Sequence, residues 1–556
     1  EPENVCMISE NTGGGFGSKG RVYPTMAITG RFAQLLNRPV QLRITREEEY
    51  YLGVGRPGMQ GWVKTGIRSD GTVAAVDVII ISDGGPTGRN SASSSAQHIS
   101  VVYTPTAMRL RNIPVFTNTA PRGAQRGPGQ NEMSAAIAPI MDKAARQLGM
   151  DRAQFRRVNA PHSDSPVYES QGPITSAFMA EAIDKASDMF NWAEREAAPR
   201  QRNGSRVRGL GIGLGYHSAG GSGYDGLVRI TPDGRIHLHS GVGNLGTYSY
   251  AGTARAAAEV LKCRWESCEI VRGSTDQHLP HASTQGGSNT IFTHTRTNWV
   301  AAEDAVTKLK QIAATEFGGN IDQYEISNER VFKATDPEKG FSYAEAAARA
   351  IELGGEFSGQ VYPDDIHPIT QRAVQGIAGT GLIGVAKDNL PKRGIAPGLM
   401  ISMAEVEIDL ETGKHEVIDY IGIADCGTII HPQGLSQQIN GGAVWGFGMA
   451  ASERHVYDPQ NGLPANIGLY QAKLPTIMDV PIKMASGAVD IADPYNPAGG
   501  RGVGEPSQGS AVAAVTSAIA DALGHSFNRV PVTPDMIVNF ANKEEQESAL
   551  LAINTF

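Results

Sequence analysis

"SENTGGGFGSKGRVYPTMAITG", residues 9–30, sets three consecutive glycines, a phenylalanine and a fourth glycine ahead of a segment with helical character. A Gly-rich turn before a helix offers unpaired N–H groups and the positive end of the helix dipole to an anion. The same residues serve a tight turn that needs only glycine's left-handed conformations. Composition carries the question outward. Glycine supplies 66 of 556 residues, against an ordinary share of ~7%, and no collagen-like period or low-complexity tract absorbs the excess. It gathers in particular places: "GGGFGSKG" (13–20), "QRGPGQNE" (125–132), "GVGNLGTY" (241–248), "QGGSNT" (285–290) and "GRGVGEPSQG" (500–509) each precede a helical pattern. "QINGGAVWGFG" (438–448) carries glycine along one face of a further helix. Several helix N-termini converging on one extended anionic ligand explain six such places more economically than six unrelated turns.

A chain of 556 residues has room for two to four domains with substantial cores. A net charge of −8 and the lack of a basic stripe with interleaved aromatics speak against a nucleic-acid or membrane-surface partner. The cysteines Cys6, Cys263, Cys268 and Cys426 form no C-x-x-C pair and no iron–sulfur run, which suits a reducing, cytoplasmic setting. No apolar run approaches the ~18 residues of a membrane span, and no signal peptide is visible. The chain begins at Glu1 and enters a motif at once, so it is expected to be a processed piece or one half of something larger.

Strands and helices alternate throughout. Hairpins are expected at 63–82 around Ser69-Asp70-Gly71, at 227–241 around Pro232-Asp233-Gly234, and at 403–425 around Glu411-Thr412-Gly413. Apolar periodicity predicts helices at about 130–148, 250–262, 296–316, 508–523 and 534–542. The polar stretch "REAAPRQRNGSRVRG" (195–209) is the expected boundary between domains 1–203 and 204–556. Residues 356–398, rich in Pro, Gly and Asp, read as a surface connector.

Three motifs compete for chemistry. Gly241, Gly243 and Gly246 spell the dinucleotide fingerprint, but that needs an acidic residue closing the next strand of one βαβ unit. Asp276 comes too late for that. His278 and His281 flank Pro280, which breaks a helical ligand pair, and nothing nearby completes a zinc set; no metal ligation by side chains is expected. Glu505 lies between glycines and Pro506 ahead of a strongly apolar helix. It is either an N-terminal helix charge or, in a dry pocket, a general base.

The runs "GGGFGSK", "QRGPGQNEMSAAIAPIMDKAARQLGMDRAQFRRVN", "ADCGTIIHPQGLSQQINGGAVWGFG" and "RGVGEPSQGSAVAAVTSAIADALG" occur in this order. Together they resemble the molybdopterin-binding large subunit of the xanthine oxidase family of molybdenum hydroxylases, from about Gly13 to beyond "RVPVTPDMI" (529–537). The resemblance implies an α+β fold of two elongated mixed α/β domains with the cofactor at their interface. It implies that Gly15, Phe16 and Gly17 form the loop beside the molybdenum, and that Arg126 is the arginine of the second loop. Gly246 and Thr247 fall at the third loop, where relatives usually read Gly-Gln-Gly. Gly287 and Ser288 fall on the fourth loop, Gln438 on the glutamine of the glycine-faced helix, and Gly504 beside the catalytic glutamate, Glu505. A cofactor held by its pterin and phosphate needs no Cys or His ligands from the protein. The cofactor implied is molybdopterin, with or without a cytosine dinucleotide tail.

Departures from the pattern narrow the substrate. Purine-oxidising relatives carry a glutamate where this chain has Gly20 and an arginine within the region that here reads "NSASSSAQHIS" (90–100). Their substrate-sandwiching aromatic is Pro128 here, and the cysteine that marks the carbon-monoxide branch is absent from the Arg126 loop. The implied pocket suits an aldehyde, an aromatic N-heterocycle or an alicyclic ketone. Large subunits of the family carry a further segment before the first loop, so a separate or cleaved chain is an expected partner. With no iron–sulfur or flavin motif in this sequence, a 2Fe-2S subunit and an FAD subunit are expected as well. The rival readings are a molybdenum hydratase, adding water to an activated double bond without redox change, and a catalytically silent scaffold.

Overall fold

A computed structural model of the chain describes residues 4–170, 172–200 and 202–543. All three expected hairpins form. At the first, Asp70 Oδ1 accepts from the Thr72 N–H at 2.9 Å and Gly71 takes the left-handed conformation the turn requires, φ +88°. Strands β1 (Met59–Ile67) and β2 (Val73–Asp83) therefore pair antiparallel, and β3 (Ala107–Val115) adds parallel to β2.

The largest sheet is built around a strand that the turn signals do not reveal. After the short β4 (Arg202–Asn203), strand β5 (Arg206–Ser218) alternates glycine with large apolar residues. Leu210, Ile212, Leu214 and Tyr216 point into the main core with Val76, Val78 and Met179. The other face is bare. There the helix Pro506–Leu523 lies directly on the strand: a Cβ added at Gly211 would stand 1.9 Å from the Ala514 carbonyl oxygen, and one at Gly213 2.1 Å from that of Ser510.

A second sheet begins with β6 (Asp225–Ile230) and β7 (Ile236–His239), which form the second hairpin, and β8 (Cys268–Val271) runs parallel to β7. A small meander follows in β9 (Tyr324–Ser327), β10 (Arg330–Lys333) and β11 (Asp336–Ser342). Strand β12 (Leu382–Lys387) joins β6, giving the order β12-β6-β7-β8. The third hairpin, β13 (Pro397–Asp409) and β14 (His415–Asp425), with β15 (Lys483–Ala488), completes the large sheet β15-β14-β13-β5-β4. The long helix Thr290–Phe317 packs on the second sheet through Ala301, Ala302, Ala305 and Leu309.

The reading of 356–398 as a connector is corrected. Its centre is the helix Pro368–Ile377, which buries Thr370, Ala373, Val374 and Ile377 on one face, followed by β12. Pro368 is the reason it reads as loop, yet at the first helical position proline is favourable, and the His367 ring caps it by accepting from the Ile369 N–H. The helix expected at 296–316 also starts earlier, at Thr290, because threonines 293, 295 and 297 turn inward and are buried.

Candidate active site

The glycine loops meet around one side chain, Arg126. Its backbone N–H donates to the Phe16 carbonyl at 2.7 Å. Its Nε donates to the Gly504 carbonyl at 2.7 Å. Nη2 reaches the Gln438 carbonyl at 3.0 Å, Gln438 Oε1 at 3.2 Å and Ser507 Oγ at 3.0 Å. Burial pulls this guanidinium down to about 10, and the nearby Glu505 carboxylate acts the other way. Residues more than three hundred positions apart are thus held at one buried cation.

The opening loop is shaped for this contact. Phe16 adopts φ +52°, a conformation bulky residues rarely accept without a compensating contact. Its ring packs against Trp445 with centroids 4.4 Å apart, and its plane lies under the Arg126 guanidinium at 5.8 Å. Gly17 cannot be replaced, since a Cβ there would stand 2.7 Å from the Ala124 carbonyl oxygen. The helix behind the loop begins only at Pro24, four residues beyond the glycine run.

Glu505 sits one residue before Pro506, which opens the buried helix. Its own N–H donates to Ser288 Oγ at 3.0 Å. Its carboxylate does not cap the helix, and the Ser507 hydroxyl donates to the Gly504 carbonyl at 2.7 Å. Gly504 is bare because Ser288 Oγ stands 2.7 Å from where its Cβ would be, with Gln438 Oε1 at 3.4 Å. Ser288 and Gly287 are both left-handed, at φ +56° and +66°.

Gly246 and Thr247 stand further out. The Gly246 N–H closes on Asn244 Oδ1 at 2.9 Å, and the Thr247 hydroxyl pairs with Ser249 Oγ at 3.0 Å. They join the site through Asn244, whose carbonyl accepts from the Thr12 N–H at 2.9 Å. Between β7 and β8 the helix Ser249–Val260 makes a true βαβ unit. The fingerprint's acidic residue is nonetheless missing from the end of β8: Asp276 accepts instead from Ser274 Oγ in the following turn.

Space and unpaired acceptors fit a pterin-type group. A Cβ added at Gly13, Gly246, Gly286 or Gly441 would meet no atom within 4 Å, so these glycines face open volume while Gly17 and Gly504 are jammed. Two buried amide oxygens in the same segments, Asn289 Oδ1 and Asn440 Oδ1, have no protein partner and suit the N–H edge of a pterin. Among the described residues no group of three His, Cys, Asp or Glu could hold a metal ion.

Several residues of the site carry no signal that a reading of motifs could use. Trp445, Met449 and Gln508 line a cavity of about 3630 Å³ that also reaches Gly15, Phe16 and Gly17. Glu453 lies on its wall, where burial pushes the carboxyl up to about 7 against the pull of Arg56. Arg56 and the glycine face of β5 went unread; the second has a signal, glycine at every other position from 209 to 215.

Known proteins resemble this chain over nearly all of its length. Models of the molybdopterin cofactor-binding domain match residues 1–160 and 185–481. The probable hypoxanthine oxidase XdhD of Escherichia coli strain K12 is 25% identical across 97% of this chain and 55% of its own length. The 6-hydroxypseudooxynicotine dehydrogenase complex subunit gamma of Paenarthrobacter nicotinovorans is 26% identical across 96% of this chain and 66% of its own. The chain thus spans between about half and two thirds of these curated relatives. Quinoline 2-oxidoreductase from Pseudomonas putida 86 superimposes with a TM-score of 0.80 at 25% identity, over 98% of this chain and 70% of that one.

Proposed function

Because this chain belongs to the molybdopterin cofactor-binding family of xanthine oxidase-type molybdenum oxidoreductases, we propose that it is the cofactor subunit of a multi-subunit hydroxylase. Its substrate is an electron-poor carbon of an N-heterocycle or an aldehyde, into which an oxygen from water is inserted. When bound, the molybdenum cofactor supplies the activated oxygen and accepts the two electrons released. The cofactor lies between domains 1–203 and 204–556, and its electrons pass to a 2Fe-2S subunit and an FAD subunit.

The observation that carries this reading is the placement of Glu505. Its carboxylate is left free of capping at a helix start, while its backbone is pinned by Ser288. A group so held takes a proton at a carboxylate oxygen without having to leave a structural bond first. Arg126 keeps the surroundings cationic and locks Gly504, Gln438 and Phe16 into one frame. The loops of Gly15, Gly17, Gly287 and Ser288 would hold the pterin and its phosphate by backbone N–H groups, with the turn of Gly246 and Thr247, its Gly246 N–H already spent on Asn244, flanking them.

The test is a purified complex supplied with quinoline or benzaldehyde, ferricyanide as acceptor and ¹⁸O-labelled water. Stoichiometric molybdenum, labelled product and acceptor reduction in step with product are expected. Absence of molybdenum removes the reading, and product formed without acceptor turns it into a hydratase.

A further inference from the structure

Arg56 lies in the turn before β1 and does not touch Glu505, yet it spends its guanidinium on the far side of the Arg126 loop. Nη2 donates to the Arg126 carbonyl at 2.6 Å and to Gln508 Oε1 at 3.3 Å, and also to Gln125 Oε1. Nη1 donates to the Gly127 carbonyl at 3.3 Å and to Glu132 Oε1 at 3.1 Å. Glu132 balances the charge and also accepts from the Gly129 N–H at 2.8 Å, at the start of the helix Gln130–Gln147. The backbone around Arg56 is itself anchored, Gly55 N–H to the Pro121 carbonyl and Gly123 N–H to the Gly55 carbonyl, both at 3.0 Å. A planar five-donor fork suits such a cluster of carbonyls in a way an ammonium does not.

We propose that Arg56 is a positioning residue: it fixes the loop bearing Arg126 against the first turn of the Pro506–Leu523 helix, and so sets where Glu505 stands. The loop is gripped from both sides. Arg56 holds its carbonyls and Gln508, while Arg126 reaches forward to Phe16 and Gly504. Without Arg56 the Gln508 and Gln125 side-chain oxygens lose their donor and Glu132 its counter-charge, while the Arg126 and Gly127 carbonyls keep only Asn131, and a buried acceptor left unpaired is costly. The cheapest relief is for the 125–131 loop to open toward the cavity and take water.

The kinetic arm of the test rests on the role proposed for Glu505, whereas the exchange arm does not. In the purified complex, Arg56→Gln is expected to raise amide hydrogen exchange of residues 125–131 at least about tenfold, with strands β5 and β13 unchanged. With quinoline or benzaldehyde, kcat falls on the order of 100-fold while KM stays within about threefold, the signature of misplaced catalytic groups. Arg56→Lys, which keeps the charge without the fork, recovers only a minor part of the loss. Arg126→Gln and the double variant have equal kcat, because both residues act through one frame. Exchange at the wild-type rate in Arg56→Gln overturns the proposal. So does a rise spread evenly over the chain, which signals lost stability, or a localised rise with kcat unchanged. If the wild-type complex oxidises neither probe, the functional reading fails, and the exchange pattern alone decides for or against Arg56.

Discussion

A carboxylate at the N-cap of a helix ordinarily stabilises it by ~0.3–1 kcal/mol through the dipole. Glu505 occupies that place, but its side chain leaves the helix N–H groups alone and faces the charge of Arg126. The two roles separate on substitution. Glu505→Gln keeps shape and volume, so the chain should fold, and the loops around Arg126 should retain their cofactor. Turnover should fall by at least ~10²–10⁴-fold, the range for losing a general base. A helix charge alone would leave turnover intact and cost less than about 1 kcal/mol of stability. Molybdenum content, thermal midpoint and turnover measured on one preparation decide between them; near-normal activity returns Glu505 to a structural role.

What places that residue is an element whose meaning lies in what it lacks. Strand β5 gives up side chains at Gly209, Gly211, Gly213 and Gly215 so that the helix behind Glu505 can lie against its backbone. At Gly215 an added Cβ would stand 2.2 Å from the Pro506 carbonyl oxygen, directly behind the helix start. Gly215→Ala should therefore destabilise by at least the ~1–3 kcal/mol of an overpacked core and lower turnover further by pushing Pro506 away. Gly30→Ala is the matched control. Gly30 lies in the helix Pro24–Leu36 with no atom within 4 Å of its would-be Cβ, so alanine should gain ~0.5–1 kcal/mol there. Urea unfolding of both variants checks the pair. The same strand marks the limit of what the residues disclose. Hairpins at Asp70, Asp233 and Thr412 are legible because turn chemistry is local, and the loop glycines because their excess needs a common cause. Close packing of a strand on a helix is a relation between positions three hundred apart, visible in sequence only as alternating glycine. The connector misreading at 356–398 has the opposite origin: Pro368 is a local breaker signal that the helix turns to use.

Across the whole molecule, titration is set by how completely the cores exclude water. Burial draws His98 down to about 3, and His239 and His294 to about 4, from 6.5. His98 lies between Ser134 Oγ, 3.1 Å from its Nε2, and an unpartnered Nδ1. These rings stay neutral in the fold and take up protons once it opens. Their folded-state values are depressed, so their contribution is complete above about pH 6.5 and is lost as pH falls toward 4. Glu453 works in the opposite sense: its raised value, about 7, favours the fold at low pH and withdraws that support as pH rises from about 4.5 to 7. Between pH 6 and 5 these three histidines outnumber the one carboxyl, and burial lowers His237, His281, His415 and His455 as well, so unfolding takes up protons and stability should fall as the pH drops through this window. Urea midpoints at pH 7.5, 6 and 5 measure it. His98→Leu is the decisive variant, because Ser134 Oγ keeps the Leu214 carbonyl at 3.3 Å and no acceptor is stranded. It should flatten the slope by about one proton, ~1.4 kcal/mol per unit, while leaving the pH 7.5 midpoint nearly in place. A slope unchanged in that variant would mean that His98 is reached by water, and that the core between β5 and its helices is looser than its packing implies.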